Sequence, residues 1–248
     1  MLQDVLPWLP REGGTLALAL AMAGTLVGAG LWLMGARFSR TIITLLTVAV
    51  GGVLGMELPR WYGWSIGGMA TIVGGAIVLG VSGFALHRIW VGIGLGCVLA
   101  LWTAVGIWAL CGAGQGWTLP TVDWASATVT GVAQQVWQSL PDDVLRLLPW
   151  ASGAAVLSGL ACALLWPRMG VALLYSLLGV SLLVPMGMTV MEWGHKQWLE
   201  MIPVQVWAQC LTLGGLVAVG VLVQWRQAPG PAVKVVHHHH HDGGDEDE

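Results

Sequence analysis

The chain has 248 residues, of which 56% are hydrophobic and only 9% are charged, and its formal net charge is −3. An average soluble domain carries about 25% charged residues, so a water-soluble protein of this length could not cover its surface. Several apolar stretches reach about 20 residues, the length that a helix needs to cross roughly 30 Å of hydrocarbon. The composition therefore predicts an all-α, polytopic integral membrane protein whose first partner is the lipid bilayer.

Seven apolar runs follow one another along residues 1–232 and define the predicted membrane bundle. Each run is nearly free of ionisable side chains, and backbone polar groups inside lipid must be satisfied internally, so each run is predicted to be a helix. The second run is the shortest of the seven. The predicted spans are residues 13–36, 41–57, 64–86, 89–111, 147–166, 169–191 and 203–225.

Short basic turns separate these spans at corresponding points. Aligned without gaps, residues 24–55, 75–106 and 155–186 each contain an apolar run, a basic turn and a second apolar run, and their central arginines are in register. The pattern predicts three hairpins that turn on the same side of the membrane, followed by a seventh span. The basic residues at this side are Arg37, Arg40, Arg88, Arg168 and Arg226.

Juxtamembrane arginines favour the cytoplasmic side of a membrane. We therefore predict a bacterial inner-membrane protein with its N-terminus outside and its C-terminus in the cytoplasm. Two roles are open for the five arginines. They are either plain topology determinants, which we favour, or members of a site for a lipid headgroup or phosphate, which would require that they converge in space.

Tryptophan and glycine follow the predicted spans. Most of the 16 tryptophans lie near span ends, including Trp32 and Trp90 at the inner ends, which is typical of an interfacial aromatic belt. Small residues four positions apart let helix backbones approach closely in lipid. Such glycine pairs are Gly24/Gly28, Gly51/Gly55, Gly63/Gly67 and Gly92/Gly96.

A polar stripe begins the second span, where Thr41, Thr44 and Thr47 are spaced three residues apart. Such hydroxyls either bond to carbonyls of their own helix or a neighbour, or line a pore or substrate path. We favour the first interpretation, because no other span has a comparable polar face.

The long outer loop, residues 112–146, contains apolar residues at helical spacing between 122 and 140. This spacing predicts an external amphipathic helix that lies on the outer leaflet or caps the bundle. A lid or a docking segment is the alternative interpretation, and a plain interfacial connector is preferred. Glu192 and His195, three residues apart near another outer turn, form a weak metal-ligand pattern for which an exposed loop is the simpler interpretation.

The predicted cytoplasmic tail, residues 233–248, is rich in histidine and acidic residues, and we expect it to be disordered. Such a tail can bind a divalent transition metal at neutral pH. Two other interpretations compete with this one and are preferred: part of an expression tag, or an inert tail that keeps the C-terminus solvated. No other cofactor is predicted. The histidines are His237, His238, His239, His240 and His241.

Three stretches carry a resemblance to a known family: WLMGARFSRTIITLLTVAVGGVLG at residues 32–55, FALHRIWVGIGLGCVLALWTAVG at 84–106 and LLWPRMGVALLYSLLGVSLL at 164–183. Together they resemble the transmembrane protein 198-like family, which has seven spans built from glycine-rich hairpins with short basic turns. The resemblance implies the seven-span architecture for residues 15–225. It implies no catalytic residue, because that family has no settled activity.

The leading functional hypothesis is a non-enzymatic structural or interaction component of a membrane assembly. The apolar spans favour it, because they lack the intramembrane acids or histidines that ion-coupled transport uses. Partners would be other membrane proteins or further copies of the chain, and no nucleic acid. The alternative hypothesis is a small channel or uniporter for an uncharged solute or a metal ion. An intramembrane enzyme ranks last, because no nucleophile and base are paired in the sequence.

Overall fold

A computed structural model of the chain describes residues 14–63, 68–107, 129–194 and 205–227. These ranges contain eight α-helices and no strand, and seven of the helices are long and apolar enough to cross a membrane. The all-α, polytopic membrane class predicted from composition is confirmed. The helices are α1 Gly14–Met34, α2 Ser39–Tyr62, α3 Gly68–Ala85, α4 His87–Ile107, α5 Val129–Ser139, α6 Asp142–Leu165, α7 Pro167–Gly194 and α8 Val206–Gln227.

Two spanning helices extend farthest beyond the apolar runs that predicted them. α2 continues past residue 57 through Pro59 and ends where Gly63 adopts a left-handed φ of 64° and donates its N–H to the Pro59 carbonyl. α6 begins at Asp142 rather than at residue 147, with Pro141 as its N-cap and two aspartates in its first turn. Acids at a helix N-terminus are favourable because they meet the positive end of the helix dipole. Apolar length alone misses such polar helix ends.

The short external helix α5 covers the C-terminal part of the predicted amphipathic segment. It has 11 residues, which is too short to cross the hydrocarbon region. Residues 108–128, which include the end of the predicted fourth span and the first part of the outer loop, lie outside the described residues. A helix is therefore present in the C-terminal part of the predicted segment, and α6 follows it after Leu140 and Pro141.

Very short turns join the helices where the basic residues predicted them. Residues 35–38 join α1 to α2, Leu86 alone joins α3 to α4, and Trp166 alone joins α6 to α7. The two helices of the first hairpin nevertheless make few contacts with each other, and so do those of the second. The extensive contacts are between α2 and α3, between α4 and α6, and between α1 and α7, which we call the three close pairs.

Glycines lie where the backbones of the close pairs meet. A Cβ atom on Gly51 would collide with the carbonyl oxygen of Gly75, and one on Gly55 would collide with that of Thr71. In the α1–α7 pair, a Cβ on Gly28 would lie 2.8 Å from the Leu183 nitrogen. Helices in lipid associate through packing rather than through the hydrophobic effect, so absent side chains let them pack at short range.

The most buried span is α7, which contacts α1, α4, α6 and α8. These five helices form what we call the body. The α2–α3 pair, which we call the arm, has few contacts with the body. Its contacts with the body lie near the basic turns, where Ile43 of α2 packs with Val91, Leu95 and Tyr175 in the buried core.

Candidate functional site at the basic turns

The three basic turns lie at one end of the bundle. The close pairs are antiparallel. In the arm, for example, residues 47, 51 and 55 of α2 lie against residues 83, 75 and 71 of α3. The Oγ of Ser39, at the start of α2, lies 3.2 Å from the Nε2 of His87, at the start of α4. The hydroxyl of Tyr175 in α7 donates to the Ser39 carbonyl at 3.1 Å. These contacts bring the start of α2 close to the starts of α4 and α7.

A cavity of about 530 Å³ opens at this end, and we call it the basic cavity. Its lining combines cationic and polar side chains with an apolar wall, and the described residues that line it include no aspartate or glutamate. A cavity lined by one sign of charge concentrates the opposite charge in solution. The lining residues are Ala36, Arg37, Ser39, Arg40, Ala85, Leu86, His87, Arg88, Ile89 and Leu164.

Contacts with aromatic rings and with the arm's backbone hold two of the arginines. The Arg40 guanidinium carbon lies 4.0 Å from the centroid of the Phe84 ring, and its Nη2 donates to the Phe84 carbonyl at 3.5 Å. The Arg37 guanidinium carbon lies 5.8 Å from the Phe38 ring centroid. Both distances are within the range of cation–π attraction. Stacking leaves the edge of a guanidinium, where its N–H groups lie, available to an acceptor.

The floor of the basic cavity is rigidly built. Ala36 and Ser39 are buried, at 2% and 7% exposure. Ser39 is fixed on two sides, through its carbonyl by Tyr175 and through its hydroxyl by His87. At this cavity α3 ends at Ala85 where α4 begins at His87, so the opposite partial charges of the two helix ends offset each other and the arginines supply the net charge.

The five predicted basic residues do not all meet. Arg37, Arg40 and Arg88 converge on the basic cavity. Arg168 lies in the first turn of α7 and Arg226 in the last turn of α8, and neither is among the residues that line the cavity. Sequence reasoning did not assign a site role to His87, Ser39 or Phe84. The position of His87 beside Arg88 could have indicated a site role for it. Nothing in the sequence indicated such a role for Ser39 or Phe84.

The threonines of α2 are placed differently from one another. Thr41 is exposed, and Thr44 is half-buried with its hydroxyl donating to the Arg40 carbonyl at 2.8 Å. Thr47 is 2% exposed, donates to the Ile43 carbonyl at 2.9 Å, and packs against Gly83 of α3. Thr44 and Thr47 thus bond to carbonyls of their own helix, and the Thr47 side chain fills the interface of the arm.

A second polar cluster lies inside the body, where α1, α7 and α8 meet, and we call it the glutamine junction. The Gln224 side chain is fully buried, and its Nε2 donates to the carbonyls of Leu31 and Trp32 at 3.0 and 2.7 Å. In return, the Trp32 indole donates to the Leu216 carbonyl at 3.0 Å. Trp32 was predicted to belong to an interfacial belt, but its N–H makes a helix–helix contact instead.

Two predicted metal-binding features reach beyond the described residues. Glu192 belongs to the last turns of α7, whereas His195 lies outside the described part of the chain. The tail histidines at residues 237–241 also lie outside it. Within the described ranges, no three side chains of the His, Cys, Asp and Glu types come together as a metal site would require.

No family model matches the sequence, and no curated protein or solved structure is significantly similar to the chain. The resemblance to the seven-span family therefore rests on the three stretches quoted above.

Proposed function

We propose that the chain is a non-enzymatic structural or interaction component of a membrane assembly, and that the arm is the surface its partner contacts. The observation that carries the proposal is the isolation of the arm. Its extensive contacts are internal to the pair, and α3 contacts α2 far more than any helix of the body. Most of the circumference of α3 is therefore left to the membrane.

The exposed surface of α3 supports this role. Val73, Ile77 and Val81 are 53%, 60% and 64% exposed, and nothing lies within 4 Å of a Cβ atom built on Gly74. Glycine in a helix costs about 1 kcal/mol relative to alanine unless something approaches it closely. Membrane helices use such small residues to admit a neighbouring helix. A helix of another membrane protein, or of a second copy, would use the space beside Gly74.

The conduction hypothesis receives less support from the same pair of helices. Of the three threonines considered as a polar lining, Thr47 is buried against Gly83 and Thr44 bonds within its own helix. A pore lining would expose these hydroxyls to a water-filled path. Their arrangement favours a packing role within the arm over a path for a solute.

A photo-crosslinking amino acid at residue 77 tests the proposal. In native membranes, we expect the Ile77 position to give an adduct with the mass of a second protein, because this face of α3 is covered by a partner. The matched control is residue 157, since Leu157 of α6 is also largely exposed, at 68%. We expect only lipid adducts there. The same experiment on the purified chain in lipid nanodiscs separates self-association from a different partner. Lipid adducts alone at both positions would contradict the proposal.

The orientation with the N-terminus outside and the tail in the cytoplasm of a bacterial inner membrane belongs to the same proposal. Its support is that the turns carrying Arg37, Arg40 and Arg88 lie at one end of the bundle and that α8 ends at that end with Arg226. The positive-inside rule places such an end in the cytoplasm. The five histidines of the tail, which follow α8, would then also be cytoplasmic and accessible to divalent transition metals.

A membrane-impermeant fluorescent Ni²⁺ chelate tests the tail and the orientation together. Imidazole is a good ligand for Ni²⁺, so we expect inverted membrane vesicles to retain the probe and intact spheroplasts to retain none. Vesicles that carry a chain ending at Val236 are the control, and we expect them to retain only background. Equal retention with and without the tail would dismiss metal binding there. Retention by intact spheroplasts would reverse the orientation.

A further inference from the structure

We infer that the basic cavity binds the phosphate group of an anionic ligand, with Arg40 and Arg88 as its principal contacts. This inference does not depend on the partner proposed for the arm. It assigns a ligand class to residues that the sequence interpreted as topology determinants. The ligand's phosphate belongs either to the headgroup of an anionic phospholipid or to a soluble phosphate.

The first argument is electrostatic. Three arginines line one cavity whose described lining contains no acidic side chain. Like charges near one another repel, and the repulsion is stronger at the edge of a low-dielectric bundle than in water. The positive-inside rule acts on each residue separately and does not require that the arginines share a cavity. An anion in the cavity would turn this repulsion into attraction.

The second argument concerns hydrogen bonding. Guanidinium groups bind phosphate oxygens through pairs of parallel N–H donors, which makes arginine the preferred side chain for this anion. Arg40 is held by its stacking on Phe84, so less conformational freedom is lost when it binds. His87 stands beside Arg88 in the same lining. This set of donors suits a tetrahedral anion with several acceptor oxygens.

The third argument is the amphipathic form of the cavity. Leu86, Ile89 and Leu164 form its apolar wall, and they are 50%, 41% and 49% exposed. Ile89 and Leu164 lie near the ends of the spanning helices α4 and α6, and Leu86 is the turn residue between α3 and α4. A phospholipid would place its phosphate among the arginines and its acyl chains along this wall. Basic pockets between spanning helices bind lipid headgroups in this way.

Native mass spectrometry on the purified full chain in a neutral detergent tests the inference. The probes are dioleoylphosphatidylglycerol, the zwitterionic dioleoylphosphatidylcholine and inorganic phosphate. We expect one phosphatidylglycerol to bind the wild-type chain and phosphatidylcholine to bind about tenfold more weakly, because its choline charge opposes the arginines. We also expect Arg40→Gln with Arg88→Gln to weaken phosphatidylglycerol binding tenfold or more, since each charged hydrogen bond contributes at least about that factor.

Arg226→Gln is the matched control, because it removes a charge from the same end of the bundle but not from the cavity lining. We expect this variant to bind phosphatidylglycerol as the wild-type chain does. Arg88→Lys, which keeps the charge and loses the paired donors, provides a second measurement if the double variant does not fold. We expect it to weaken binding severalfold.

The competition measurement identifies the source of the phosphate. Displacement of phosphatidylglycerol by millimolar inorganic phosphate would assign the cavity to a soluble phosphate, and retention of the lipid would assign it to a headgroup. Either result supports the inference if the double variant is impaired. Wild-type affinity in the folded double variant, or an equal loss in Arg226→Gln, would overturn it.

Discussion

Replacing Gly51 with alanine is expected to force the arm apart and to lower the free energy of unfolding by about 3 kcal/mol relative to alanine at Gly52. A Cβ on Gly51 would collide with the carbonyl oxygen of Gly75 and lie 2.9 Å from the Leu79 Cβ. A backbone carbonyl inside a helix cannot rotate away as the end of a side chain can. The two helices must therefore separate along their whole contact.

The neighbouring residue provides a close control for this substitution. A Cβ on Gly52 would come no nearer than 3.9 Å to the Ile72 Cγ2, which is an ordinary contact. Both variants gain the same helix propensity from the added methyl group, so their difference isolates the collision. Unfolding in mixed micelles, followed by tryptophan fluorescence, measures both free energies. Equal stability of the two variants would mean that the arm does not depend on close approach at Gly51.

The second large effect is expected at the glutamine junction, where Gln224→Met should lower the free energy of unfolding by about 2 kcal/mol. Methionine keeps the length of the side chain but removes the two hydrogen bonds that the amide donates to the Leu31 and Trp32 carbonyls. These carbonyls lie in the last turn of α1, where the Leu31 carbonyl also accepts from the Gly35 N–H at 2.9 Å, and the Gln224 side chain that meets them is fully buried.

Gln224 also carries an opposing contribution, which limits the size of this effect. Its Oε1 is buried without a hydrogen-bond partner in the described structure, so methionine removes one unsatisfied acceptor as well. We expect the loss of two donated bonds to exceed this gain. Gln227→Met at the exposed end of α8 is the control and should change stability by less than about 0.5 kcal/mol. The same unfolding measurement compares them, and a stable Gln224→Met variant would show that α8 is held by apolar packing alone.

The candidate site was only partly accessible to sequence reasoning. The arginines of the basic turns stood out because charged residues are rare in this chain and fall between apolar runs. Their grouping was not visible, since Arg40 and Arg88 are separated by two full spans and meet only because the arm brings α3 back to the start of α4. Trp32 was assigned to an interfacial belt, whereas its indole N–H donates to the Leu216 carbonyl, because position along a span does not specify which neighbour an indole faces.

The amino-acid sequence by itself determined that the chain has seven helices long and apolar enough to cross a membrane and that Arg37, Arg88 and Arg168 lie at the short turns between them. Hydrocarbon thickness imposes the length of each apolar run, and charged side chains are excluded from its interior. Only the tertiary structure decided which helices pack together. In lipid, the faces of a helix that meet other helices and those that meet acyl chains are both apolar, so no periodicity marks the buried face. The close approaches at Gly51, Gly55 and Gly28 select the partners, and that selection is what brings Arg37, Arg40 and Arg88 to one cavity.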